Sequence, residues 1–122
     1  FQDTRHIDRQ RNEPWLVAFE LERGVSLLDT GGDWPVRVGG GMVLNSGSRS
    51  QSKKWSRAIY RQYQGVEGIY YPSSLTNASC VALYERARSA LPAAPVYNRP
   101  LRSRHLFALL TQLADRLNFT MS

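Results

Sequence analysis

Apolar and polar positions follow two different periods along this chain, and the switches between them mark its elements. Trp15–Leu21 (WLVAFEL) is aromatic and β-branched with partial alternation, which predicts a strand. Glu22-Arg23-Gly24 makes a turn, and Val25–Leu28 reads as a second, shorter strand ending at the loop signature Asp29-Thr30-Gly31-Gly32. Asp33-Trp34-Pro35 has the makings of one helical turn, with Asp33 as cap and Pro35 in the first turn. Trp55, Ile59 and Tyr63 then fall at i, i+4 and i+8 on an Arg-rich background, so a helix is expected over 50–64, capped by Ser48, Ser50 or Ser52. Strands are expected next at Gly68–Pro72 and Cys80–Glu85, two apolar runs joined by a polar Ser/Thr/Asn loop. After the rigid spacer Pro92-Ala-Ala-Pro95, Val96–Leu101 suits an edge strand, since Pro100 cannot donate to a ladder. Arg104–Phe119 closes the chain with an amphipathic helix over 104–118, its apolar face formed by Leu106, Phe107, Leu109, Leu110, Leu113 and Leu117.

These elements predict an α+β fold. Its expected form is one small twisted sheet, built from Trp15–Leu21, Val25–Leu28, Gly68–Pro72 and Cys80–Glu85 and flanked by helices 50–64 and 104–118. Residues 1–14 are highly charged and suggest an irregular or partly helical arm. The Gly/Ser-rich stretch 39–52 reads as an internal loop, since neither side is long enough to stand alone. A length of 122 residues suits a single domain spanning 1–122. The 42% hydrophobic and 21% charged content excludes a disordered chain. No apolar run approaches the roughly 20 residues of a membrane span. Phe1-Gln-Asp-Thr-Arg is polar from its second position and shows no signal-peptide pattern, and a start at Phe is expected of a processed, trimmed or fragmentary chain. The single cysteine, Cys80, rules out an internal disulfide and fits a reducing, cytoplasmic setting, with Cys80 itself a small hydrophobe in its strand.

Charge narrows the choice of partner. The net charge is +6, carried by fourteen Arg and two Lys. Arginine favours planar, bidentate recognition of phosphate and carboxylate. The arginines are dispersed, which disfavours nucleic acid. Gly39-Gly40-Gly41 has neither the GxGxxG nor the GK[ST] pattern of a phosphate loop. His6 and His105 are far apart in sequence, no metal-ligand spacing exists, and no GxSxG surrounds a serine. Lys53 and Lys54 stand early in the predicted helix, where the macrodipole disfavours cations, a hint that positive charge is wanted there. Ser73 and Ser74 end a strand, where a hydroxyl serves equally well in a turn or toward a ligand. Tyr70 and Tyr71 must face opposite sides of that strand, so one packs inward and the other is placed to offer its ring to a cleft.

The run W-x-R-A-I-Y from Trp55, then G-I-Y-Y-P-S-S from Gly68, then C-V-A-L-Y-E-R-A from Cys80 resembles the C-terminal half of the RES domain. That family is named for an arginine, a glutamate and a serine lining one pocket. Its members are bacterial toxins that degrade NAD⁺ on a fold related to ADP-ribosyltransferases. The resemblance is sharp from about Ser48 to Arg88. The opening FQDTR resembles the stretch that follows the family's glutamate, which would place both that glutamate and the arginine ahead of Phe1 and leave the fold without its N-terminal part. No catalytic residue is then expected in this chain, and by itself it would be inactive. The substrate-binding positions implied are Ser50, with Ser52 as the neighbouring match to the family serine, together with Ser73 and Tyr71. NAD⁺ would be a substrate cleaved at its nicotinamide–ribose bond, as by a glycohydrolase or phosphorylase, with no separate cofactor and no metal. The implied protein partner is an Xre-like helix-turn-helix antitoxin. Two further readings compete: a nucleotide- or protein-binding module without chemistry, and a structural domain docking through its leucine-rich C-terminal helix.

Overall fold

The computed structural model of the chain describes residues 3–39 and 49–122. Along the chain run β1 (His6–Ile7), β2 (Trp15–Ala18), β3 (Leu27–Asp29), α1 (Trp34–Arg37), α2 (Arg49–Gln62), β4 (Gly68–Pro72) and β5 (Ser79–Leu83). A 3-10 helix (Glu85–Ala90), β6 (Tyr97–Pro100), α3 (Arg104–Leu117) and β7 (Thr120–Met121) complete it. The fold is α+β, as the two hydrophobic periods predict.

The strands do not share one sheet, which corrects the expected arrangement. They form two two-stranded sheets, β1–β7 and β2–β6, and a three-stranded sheet in the order β3–β4–β5. The reason lies in pairing, which no local pattern encodes: β2 takes β6 as an antiparallel partner, in the register Trp15↔Pro100 to Ala18↔Tyr97. Contacts gather into two compact units, residues 1–20 with 92–122, and residues 21–91.

In residues 21–91, β3 runs parallel to β4, so the chain must cross over between them through α1 and α2. β4 then turns back on β5 through residues 73–78. Gly68 opens β4 at a point of very close backbone approach. A Cβ there would lie 2.5 Å from the Ala82 carbonyl oxygen and 2.9 Å from Leu27 Cδ2, so no larger residue fits. Thr30 is buried, and its N–H and hydroxyl both donate to the Tyr70 carbonyl, at 2.9 and 3.3 Å, holding the loop after β3 on β4. α2 buries Ile59 and packs Trp55 edge-on against Trp34, with ring centroids 6.4 Å apart. Tyr63 falls one residue beyond the helix and is exposed.

In residues 3–20 and 92–122, α3 buries Leu106, Leu110 and Ala114 against Ile7 and Leu101, with Phe119 and Met121 packed alongside. The buried stripe is therefore the i, i+4, i+8 row. Phe107 and Leu109, expected in the core, are exposed, and the Arg9 guanidinium lies over the Phe107 ring at 5.2 Å. The N-terminal arm is a strand at His6–Ile7, because β7 offers it a parallel partner. His6 is tied there by Thr120 Oγ1 at 2.6 Å and Ser122 Oγ at 2.9 Å.

Candidate functional site

The predicted site residues fall on two elements of residues 21–91. Ser50 and Ser52 belong to the first turn of α2, which begins at Arg49. Neither is therefore its cap, and the third candidate cap, Ser48, lies outside the described residues. No acid occupies that first turn, whereas Arg49, Lys53 and Lys54 stand in or beside it. Cations there oppose the helix dipole and add to its positive potential. Ser50 is exposed and Ser52 half-buried.

The other pair lies where β4 ends. Tyr71 is half-buried opposite Cys80, whereas Tyr70, pointing to the other face, is exposed and joins its hydroxyl to Ser79 Oγ at 2.5 Å. The Tyr71 hydroxyl makes no hydrogen bond to a described residue. Ser73 leads the hairpin turn, and its Oγ accepts from Leu75 N–H at 3.2 Å and Thr76 N–H at 3.3 Å. Its own N–H donates to Ala78 O at 2.7 Å, and its carbonyl accepts from Asn77 N–H at 2.9 Å. Asn77 takes the left-handed conformation at φ +59° that closes the turn. With both acceptor sites of its oxygen engaged, the Ser73 hydroxyl keeps its proton to donate. Tyr71 lies within β4, and Ser73 is the first residue beyond it. No hydrogen bond joins either of them to α2 among the described residues.

Three features here escaped sequence reasoning. Arg23 grips Glu67 through both carboxylate oxygens, at 3.1 and 2.6 Å, and also donates to Ser89 Oγ at 2.8 Å. The Arg23 bond and a second from Ser26 N–H hold the Glu67 carboxyl below its ordinary pKa. Arg86 lays its guanidinium 3.8 Å above the Tyr60 ring and donates to the carbonyls of Tyr60, Tyr63 and Val66. Third, Ser56, Arg57, Tyr60, Arg61, Tyr84 and Glu85 line an open groove of about 460 Å³. Its one sequence signal was the acid-free, Arg-bearing face of α2. No cluster of His, Cys, Asp and Glu among the described residues could hold a metal ion, and no described helix is long and apolar enough to cross a membrane.

Comparison with known proteins adds a family: the model of the RES domain matches residues 4–106. No curated protein and no solved structure matches the chain.

Proposed function

The chain belongs to the RES domain family, and we propose that its function is NAD⁺ degradation by cleavage of the nicotinamide–ribose bond. The observation that carries this reading is the family match over residues 4–106. In the proposed reaction the C1′–N bond breaks and its electron pair leaves with nicotinamide, discharging the pyridinium. An oxygen nucleophile from water, phosphate or a protein acceptor then adds to C1′ and loses its proton. The oxocarbenium-like centre between the two steps needs a nearby carboxylate, and the diphosphate needs an arginine fork. No residue of this chain is proposed for either of those two roles. This chain's own share is substrate binding. Ser50 and Ser52 sit at the positive end of α2, suited to a polar or anionic group. Ser73 has a hydroxyl proton to give a carboxamide oxygen, and Tyr71 offers a ring and a hydroxyl that no described residue engages.

NAD⁺ enters this scheme as substrate, with no further cofactor, in the cytoplasm, and an Xre-like helix-turn-helix antitoxin is the proposed partner. The test incubates the purified protein, including any in-frame coding sequence upstream of Phe1, with NAD⁺ and follows nicotinamide release by chromatography. Nicotinamide should accumulate, and Ser50→Ala or Ser73→Ala should slow its release by about two- to tenfold or more, the worth of one lost hydrogen bond. NAD⁺ bound but left intact would mark a nucleotide-binding module instead. NAD⁺ neither bound nor consumed would refute both.

A further inference from the structure

α2 carries Arg49, Lys53, Lys54, Arg57 and Arg61 and no acidic residue. Arg57 and Arg61 stand one turn apart, so their side chains share a face, a like-charged pair that mildly destabilises a helix. Neither makes a hydrogen bond or ion pair with a described residue, and the two ion pairs that the described residues do form lie elsewhere. Both arginines line the groove of about 460 Å³, a size typical of small-molecule sites.

The rest of that groove is already held in place. The Tyr84 hydroxyl donates to the Ser56 carbonyl at 2.8 Å and meets Ser56 Oγ at 3.2 Å. Tyr60 is fixed between the Tyr84 ring, 5.1 Å away edge-on, and the Arg86 guanidinium at 3.8 Å. The polar functions left over are the guanidinium groups of Arg57 and Arg61, the Tyr60 hydroxyl and the Glu85 carboxylate, none of them hydrogen-bonded to a described residue. A bidentate pair of forks matches the oxygens of a phosphomonoester. Glu85 would repel a ligand that is anionic throughout, such as a polycarboxylate or a nucleic acid backbone, and accept from one that carries hydroxyls.

We propose that this groove binds a small phosphorylated polyol of the sugar-phosphate class, its phosphate on Arg57 and Arg61 and its hydroxyls toward Glu85. The groove lies where β5 has passed Leu83, paired with Gly68 at the open end of the hairpin, whereas Ser73 lies in the turn at the opposite end. It is thus separate from the strand end proposed to meet NAD⁺.

Calorimetric titration of the whole chain with ribose 5-phosphate, free ribose and inorganic phosphate tests this without any use of NAD⁺. Ribose 5-phosphate should bind with a millimolar or tighter constant, inorganic phosphate more weakly, and ribose not at all. Arg57→Gln and Arg61→Gln should each weaken ribose 5-phosphate by about tenfold. Glu85→Gln should weaken ribose 5-phosphate while leaving inorganic phosphate unchanged. All three side chains are exposed, so the variants should melt with the parent chain, a check that separates lost binding from lost folding. Absence of binding at about 10 mM would overturn the proposal, since a constant weaker than that is no specific site. So would binding that survives in the double arginine variant, or equal affinity for the sugar phosphate and inorganic phosphate, which would mean an adventitious ion only.

Discussion

Ser73 holds a turn and is also the serine proposed to meet substrate, so one alanine substitution confounds two effects. Its Oγ accepts two backbone N–H groups, and Ser73→Ala should cost about 1 kcal/mol. In a chain of this size that lowers the melting temperature by roughly 3–5 °C. Ser73→Thr keeps the acceptor and should restore most of the melt; an unchanged melt for Ser73→Ala would show that the turn does not need the hydroxyl. Glu67 gives a second residue-scale prediction, read against pH. Arg23, and then Ser26 N–H, hold its carboxyl below the ordinary value of 4.5. The folded form therefore releases the proton more readily than the unfolded chain. Its stabilisation is fully present above pH 4.5 and fades as pH falls through the lower folded value. Glu67→Gln should flatten the loss of thermal stability on acidification. A residual slope should remain from Asp8, whose carboxyl is likewise lowered, by the backbone N–H groups of Arg11 and Gln10. Parallel acid profiles for the parent and Glu67→Gln would exclude a role for the pair.

Among the elements, α2 shows how a terminus can be satisfied from far along the chain. Its last carbonyls have no intrahelical donors, and the Arg86 fork reaches one of them, Tyr60 O at 2.7 Å, together with Tyr63 O at 3.0 Å and Val66 O at 3.1 Å in the chain just beyond. Arg86→Lys keeps the charge but not the planar fork, and should cost about 2 kcal/mol in denaturant unfolding. An equal midpoint for Lys and Arg would mean that charge alone suffices. The helices themselves were legible, since a 3.6-residue period runs through Trp55 and Ile59 and through Leu106, Leu110 and Ala114. The existence of most strands was legible too, but not their partners. The residues of β2 are exposed throughout, so their alternation never reported a buried face, and β6 as partner is a long-range choice. The two-residue strands β1 and β7 are too short to carry any period, and Glu85, expected to end the strand Cys80–Glu85, instead opens the 3-10 helix Glu85–Ala90. At the site, the resemblance to the RES domain singled out Ser50, Ser52, Ser73 and Tyr71. Nothing local marks Arg57, Arg61 and Glu85 together, because the groove exists only once α2 lies beside the end of β5.

At the scale of the molecule, the hydrophobic cluster of Ile7, Leu101, Leu106, Leu110 and Ala114 is drawn from both ends of the chain. The family match stops at residue 106, so Leu110, Ala114 and the flanking Phe119 and Met121 lie beyond it. Those later residues nonetheless close the cluster. Asn118 ends α3 in the left-handed conformation, φ 55° and ψ 48°, and turns the chain back toward β1. There Thr120 N–H meets Arg5 O at 3.0 Å, Ser122 N–H meets Ile7 O at 3.0 Å, and Arg9 N–H meets Ser122 O at 3.1 Å. The His6 ring adds its contacts to Thr120 and Ser122. A chain ending at Leu117 should therefore lose the β1–β7 pair and the packing of Phe119 and Met121 together. With half-buried side chains, about 3 kcal/mol of stability is at stake. A milder probe separates the turn from the strand. Asn118→Gly keeps the left-handed cap and should leave stability within about 0.5 kcal/mol, whereas Asn118→Val forces a β-branched residue into it at a cost of about 1–2 kcal/mol. Denaturant midpoints of the three variants, with hydrogen exchange read at Ile7 and Leu110, decide the matter. An unchanged midpoint and full protection of Ile7 in the truncated chain would mean that β1 and α3 hold the cluster without β7.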